Sequence, residues 1–397
     1  MRRFRILVWV LVFVMVWPEQ ADGAVHRMEN TVYMTSDSWE PDQLVDLGEF
    51  HSEEIQDFLD TLSGDPLPAN SFREIMGRLM AGDLMGVFES GAAAIKASVF
   101  AELNTNAGWM GQIVILAVIG AIFSGFAGIF GSGHVSETGF YVVYLLVMAL
   151  LAASFFSSVT IASQIMAELL TFMQVLLPAY FMAVAMAGGA LTSAAICGFT
   201  IGTIGLVQSI LGQILLPLMR VYMLLILAGN LYKEDMISKL TELLKNAVVW
   251  TCKTLFGVVV GFHVIQGLIL PQADALKNAS AMRLAQMIPG LGGGVGAVSQ
   301  IVLGSGILIK NTVGAAAVVI LLFLAAVPMV KLLVLMALYY LAAAAMQPVC
   351  DKRLVACMTG TAVGHGLLLK IIGYSLALFA VTIAVICVST NAVWYAG

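Results

Sequence analysis

Charge is what this sequence has least of. Only 11% of its 397 residues are Asp, Glu, Lys or Arg, and 60% are hydrophobic, whereas a soluble domain carries about 25% charged residues. Together with a mean hydropathy of +0.96, that scarcity excludes an ordinary soluble globular protein and predicts an integral membrane protein. Enzyme signatures are also missing: there is no Walker A motif, no HExxH and no GxSxG. The five histidines, His26, His51, His134, His263 and His365, include no pair at i,i+4, which argues against a metal site. The cysteines are odd in number and none belongs to a CxxC pair. Cys197, Cys252, Cys350, Cys357 and Cys387 therefore read as small packing residues in apolar surroundings. No catalytic residue, metal or cofactor is expected, and no nucleic-acid partner.

What is present is long uncharged intervals. Asn311 to Val330 holds 20 residues without a charge, which as a helix covers roughly 30 Å, the thickness of a hydrocarbon core. Lys310 and Lys331 bracket that span. The next uncharged run, Leu332 to Cys350, begins with no loop, so Lys331 sits either at a tight helical hairpin or inside the membrane. The chain also holds 22 Met and 38 Gly, which suits helices packed closely in lipid.

The N-terminus has the outline of a secretory signal peptide over residues 1–23. Arg2, Arg3 and Arg5 are followed by an apolar core from Ile6 to Trp17 and by Ala21-Asp22-Gly23 at the cleavage position. Residues 24–102 carry 15 acidic and 4 basic side chains, and residues 103–397 carry 7 and 12. That asymmetry places 24–102 outside the cytoplasm as an acidic, extracytoplasmic helical segment and 103–397 as a polytopic membrane domain. Ile55, Phe58, Leu59 and Leu62 recur at helical spacing. Ser71 and Glu74 form a capping box ahead of Phe72, Ile75, Met76 and Leu79.

The spacing of charges predicts spans over Gly108 to Phe130, Gly139 to Thr160, and a pair between Leu169 and Met219 broken at Gly188-Gly189. In that pair Gly198, Gly202 and Gly205 offer a packing face. Val221 to Tyr232 extends the fourth span or makes a fifth, and Ala247 to Leu270 follows. After the two runs flanking Lys331 come Leu354 to Leu369 and Ile371 to Gly397. The expected fold is an all-α, polytopic transmembrane helical bundle of six to eight spans with a small N-terminal helical segment. Lys233 to Asn246 reads as an amphipathic helix on the membrane surface or against a partner, with Lys233, Lys239 and Lys245 as candidate partner-binding residues. Asp235 and Lys239 are spaced as an i,i+4 ion pair. Gly292, Gly294 and Ala297 match GxGxxA without the strand such a nucleotide site needs, so a flexible linker or re-entrant segment is the preferred reading.

Ionisable side chains at membrane depth are functional candidates because each is costly unless paired or hydrated. Arg220 and Lys331 are the least explained. Lys253 and Lys310 are expected to snorkel to the interface, and Glu168 to lie in a short loop. Lys310 and its neighbour Asn311 join Lys331 and Arg220 as the candidate positions.

Beyond these readings, the run Leu308-Ile309-Lys310-Asn311-Thr312-Val313-Gly314, the following Ala325-Ala326-Val327-Pro328 and Lys331, and Leu341-Ala342-Ala343-Ala344-Ala345-Met346-Gln347-Pro348 resemble the stage III sporulation protein AE family of endospore-forming bacteria. Ile265-Gln266-Gly267 and Ile288-Pro289-Gly290 fit it too. The resemblance implies a non-enzymatic, permease-like subunit of a secretion-type channel complex in the mother-cell membrane facing the forespore. The implied partners are other stage III sporulation membrane proteins, a cytoplasmic secretion-type ATPase and ring-forming proteins of the intermembrane space, with late forespore gene expression depending on the complex. Two rival classes remain. A stand-alone secondary transporter would use helices broken at Gly188-Gly189 and Gly292 to Gly296, and an intramembrane enzyme would need a nucleophile and a base facing each other across spans.

Overall fold

The structure, a computed structural model, describes residues 55–57, 72–81, 83–129, 133–185, 190–231, 237–286 and 292–389. All of these fall in one unit, Gly48–Gly397. The signal-peptide region, most of the acidic segment, Lys233 and Gly188-Gly189 lie outside the described residues.

Every regular element described is helical. In chain order they are α1 (Phe72–Met80), α2 (Leu84–Ile129), α3 (Gly133–Val184), α4 (Ala190–Ser209), a π-helical turn (Ile210–Leu215), α5 (Leu216–Gly229), α6 (Ser238–Gln286), α7 (Gly292–Met346) and α8 (Lys352–Ser389). Helix α1 buries Ile75 and Met76 as its periodicity predicts. Asp83 starts α2 by accepting a 3.0 Å hydrogen bond from the Gly86 N–H, three residues on. The predicted boundary at residue 102 falls inside α2. Helices α7 and α8 share the most extensive packing, and α3 lies against both.

Among the described residues, five helices are long and apolar enough to cross a membrane: Thr138–Val184, Cys197–Gly229, Ser238–Gln266, Ile307–Met346 and Lys352–Cys387. Several runs expected to be separate spans are continuous helices. Gly139 to Thr160 and the run after Leu169 both belong to α3, the two runs flanking Lys331 both belong to α7, and those flanking Lys370 both belong to α8. The physical reason is simple. Glu and Lys are good helix formers, so a lone charge can mark a water interface without interrupting the backbone. Glu168 accordingly lies mid-helix, accepting a 3.0 Å bond from the Gln164 amide, and Lys331 is half-buried within α7 with no hairpin.

Other expectations are corrected likewise. Residues 238–246 of the amphipathic stretch are the opening turns of the long helix α6, where Leu240 and Leu243 are 48% and 62% exposed. Lys239 pairs with Glu242 at 3.3 Å; Asp235 lies outside the described residues. Gly292 and Gly294 open helix α7. No described residue stands within 4 Å of a Cβ built on Gly198, Gly202 or Gly205, so that face meets no described helix of the chain. Among the glycines that admit a neighbour are Gly314, against Tyr180, Gly360, against Ile226, and Gly364, against Phe155.

Between α4 and α5 the Leu216 N–H bonds to the Leu211 carbonyl, five residues back. Pro217 follows at once, and its missing N–H and bulky ring account for the wider turn. Pro348 closes α7, and Asp351 caps α8 by accepting a 2.9 Å bond from the Arg353 N–H.

Candidate functional site

Polar side chains inside this apolar bundle meet in layers. The central layer joins α3, α7 and α8. Ser154 and Ser158 lie one helical turn apart on α3, as do Thr361 and His365 on α8. His365 Nδ1 is 2.9 Å from the Thr361 carbonyl, which can only accept, so Nδ1 carries the proton and Nε2 accepts from the Ser158 hydroxyl at 2.9 Å. The Tyr339 hydroxyl donates to Ser154 Oγ at 2.6 Å. Phe155 meets the imidazole edge-on with ring centroids 5.3 Å apart, and Tyr339 packs beside it at 5.1 Å. Phe155 reaches the imidazole because α8 has a glycine there. A Cβ on Gly364 would stand 2.6 Å from Phe155 Cε2.

A serine bonded to an oriented histidine is the arrangement of an activated nucleophile. Here it is sealed. Ser158 is 1% exposed, and His365, Phe155 and Tyr339 are each 0% exposed, so packed rings occupy the space a substrate needs. The Ser158 hydroxyl also lies 3.2 Å from the Ser154 carbonyl. The arrangement acts as an interhelical clamp, with every polar group satisfied where no water can substitute.

Further layers repeat this logic. The Gln208 amide donates to the Met166 carbonyl, and its oxygen accepts from Ser375 at 3.3 Å, tying α4, α3 and α8. His263 on α6 and Thr382 on α8 are 3.1 Å apart. At one end of the bundle the Tyr144 hydroxyl donates to the Leu227 carbonyl at 2.5 Å and lies 3.1 Å from Cys357 Sγ. Arg353 donates to the Leu231 carbonyl at 3.2 Å and stacks over the Phe140 ring at 3.7 Å.

The opposite end holds two of the predicted residues. Lys310 does not snorkel to the surface, being 0% exposed. Its ammonium donates to the Cys387 carbonyl at 3.2 Å. Cys387 belongs to the last described turn of α8, so the ammonium ties α7 to that turn. Asn311 accepts from Cys387 Sγ at 3.1 Å. Gly314, one turn on, lets Tyr180 of α3 approach to 3.1 Å of where a Cβ would stand. Lys310, Asn311 and Gly314 thus secure α7 to α8 and α3.

The other predicted residues do not join them. Arg220 is exposed on α5, Lys239 and Lys245 are exposed on α6, and Lys331 sits higher on α7. Residues that the sequence reading missed are Ser158, Tyr339, Gln208, Ser375 and Thr382. The only available signal for them was a polar side chain inside an apolar run.

These layers and long apolar helices define a multi-pass helical membrane protein whose interior is held by interhelical hydrogen bonds. The family model for stage III sporulation protein AE matches residues 70–390, and the chain belongs to that family of sporulation proteins. It is 24% identical over 300 residues to stage III sporulation protein AE of Bacillus subtilis (strain 168), covering 75% of this chain and 72% of that protein. No solved structure matches.

Proposed function

We propose that the chain is a non-enzymatic membrane subunit of the channel complex joining mother cell and forespore, seated in the mother-cell membrane with residues 24–102 in the intermembrane space. Its partners in this reading are other stage III sporulation membrane proteins, a secretion-type ATPase on the cytoplasmic side and ring-forming proteins between the membranes, and late forespore gene expression depends on the assembly. Family membership across 70–390 carries the reading. It is supported by a surface suited to partners: Arg220 exposed in an otherwise apolar helix, and the outward apolar pair Leu240 and Leu243 beside Lys239 and Lys245. An unneutralised arginine on an apolar helix is costly in lipid alone.

The test is affinity purification of the tagged full chain from sporulating cells, alongside a deletion strain. Co-purification of membrane partners and arrest of late sporulation are expected. Solitary recovery or normal spores would overturn the proposal. A second reading, a secondary transporter for a small solute, draws on the π turn Ile210–Leu215 within the Cys197–Gly229 segment, since such turns recur at functional sites. Solute uptake by vesicles holding this chain alone would decide for it.

A further inference from the structure

Side-chain contacts fix the relative height of residues along the bundle. Met329 Cε lies 4.0 Å from where a Cβ would stand on Gly373, and Met336 Sδ lies 3.3 Å from that of Gly366. Helices α7 and α8 therefore run antiparallel, and Lys331 is level with Ile371, next to Lys370. On the other side, Phe256 packs on Tyr374 with centroids 5.9 Å apart, and His263 meets Thr382. Helix α6 thus runs parallel to α8 and brings Lys253 to the same height. Lys245 and Lys253 both repel the Lys370 ammonium electrostatically.

Lys245, Lys253 and Lys370 are all exposed. None of them has an ion-pair partner among the described residues, and Glu242, one turn from Lys245, is engaged by Lys239. Trp250 lies between Lys245 and Lys253 on α6 and is 68% exposed, and Tyr374 stands one turn beyond Lys370. Aromatic rings beside lysines at the edge of an apolar interval are the signature of a bilayer surface.

Length agrees. Helix α7 covers about 32 Å between Lys310 and Lys331, one hydrocarbon thickness. The whole apolar segment Ile307–Met346 has 40 residues, about 60 Å, twice what a bilayer needs.

We propose that Lys245, Lys253 and Lys370, flanked by Trp250 and Tyr374, form a binding site for the anionic headgroups of phospholipids at the membrane surface. Three uncompensated ammonium groups supply the charge, and the two rings sit at headgroup depth.

The experiment uses the purified full chain in nanodiscs of phosphatidylcholine with or without phosphatidylglycerol, with retained lipid counted by native mass spectrometry. The wild type is expected to retain phosphatidylglycerol selectively. Each Lys→Gln substitution should weaken that selectivity roughly fivefold, and K245Q/K253Q/K370Q about a hundredfold, while the corresponding Lys→Arg triple variant keeps it. Equal selectivity in the Gln triple variant, with melting in uncharged detergent unchanged, would overturn the site. So would displacement of the lipid by millimolar inorganic phosphate, which would make it a free-phosphate site.

Discussion

The hydroxyl of Ser158 and Nε2 of His365 lie 2.9 Å apart although 207 positions separate them in the chain. The bond crosses from α3 to α8 in a region with no water to replace it. Its loss therefore leaves an imidazole nitrogen unsatisfied.

Ser158→Ala is expected to destabilise the protein by about 1–2 kcal/mol, above the average of about 0.6 kcal/mol for interhelical hydrogen bonds in membranes, because the site is fully sealed. Thermal melting in detergent measures it. Melting unchanged from wild type would show that the bond contributes nothing.

If the same pair were a reaction centre, Ser158 would attack an electrophile. A fluorophosphonate serine probe is expected to leave the folded protein unlabelled, since Phe155 and Tyr339 close over the imidazole. Covalent modification mapped to Ser158 would refute the clamp and restore the enzyme reading.

Glycines separate into two classes that substitution distinguishes. Gly364→Val places side-chain atoms against the buried Phe155 ring and should cost about 1–3 kcal/mol by overpacking. Gly202→Ala meets nothing within 4 Å and should gain about 0.5–1 kcal/mol through helix propensity. A Gly364→Val variant that melts no lower than wild type would contradict the packing of α8 on α3.

Lys310→Met and Lys310→Glu probe the tie between α7 and α8. Replacing a buried ion by an apolar chain of similar length is often neutral, so the Met variant should change stability by less than about 1 kcal/mol. The Glu variant sets an anion beside the Cys387 carbonyl and should lose roughly 3 kcal/mol or more. Similar melting of the two variants would exclude a role for the ammonium in that tie.

Arg220 is exposed on α5. Arg220→Leu is expected to leave melting within about 0.5 kcal/mol of wild type while partner recovery from sporulating cells falls. A fall in stability with partners retained would assign the residue to the fold instead.

Helical class, membrane character and the burial of α1's apolar face were legible in the sequence, because composition and period record them directly. Span number was not. Hydropathy treats Glu168, Lys331 and Lys370 as boundaries, whereas the backbone passes through all three without interruption. The Lys310 to Gly314 run was legible as a signature, yet the task of Lys310 was not, since the Cys387 carbonyl it meets is 77 positions away. Ser158, Gln208 and Thr382 escaped for the same reason: nothing local distinguishes a hydroxyl or amide that meets a distant helix from one that faces lipid.

A rod that does not break where it leaves the bilayer behaves as a lever. Helix α7 continues past Lys331 without a break, but Pro328 within it donates no backbone hydrogen bond, so a push on its Met346 end reaches Lys310 through one loosened turn, and from there Cys387 of α8. The turn at Pro328 is where such a rod bends most easily, so it decides how much of a displacement at one end of α7 arrives at the other.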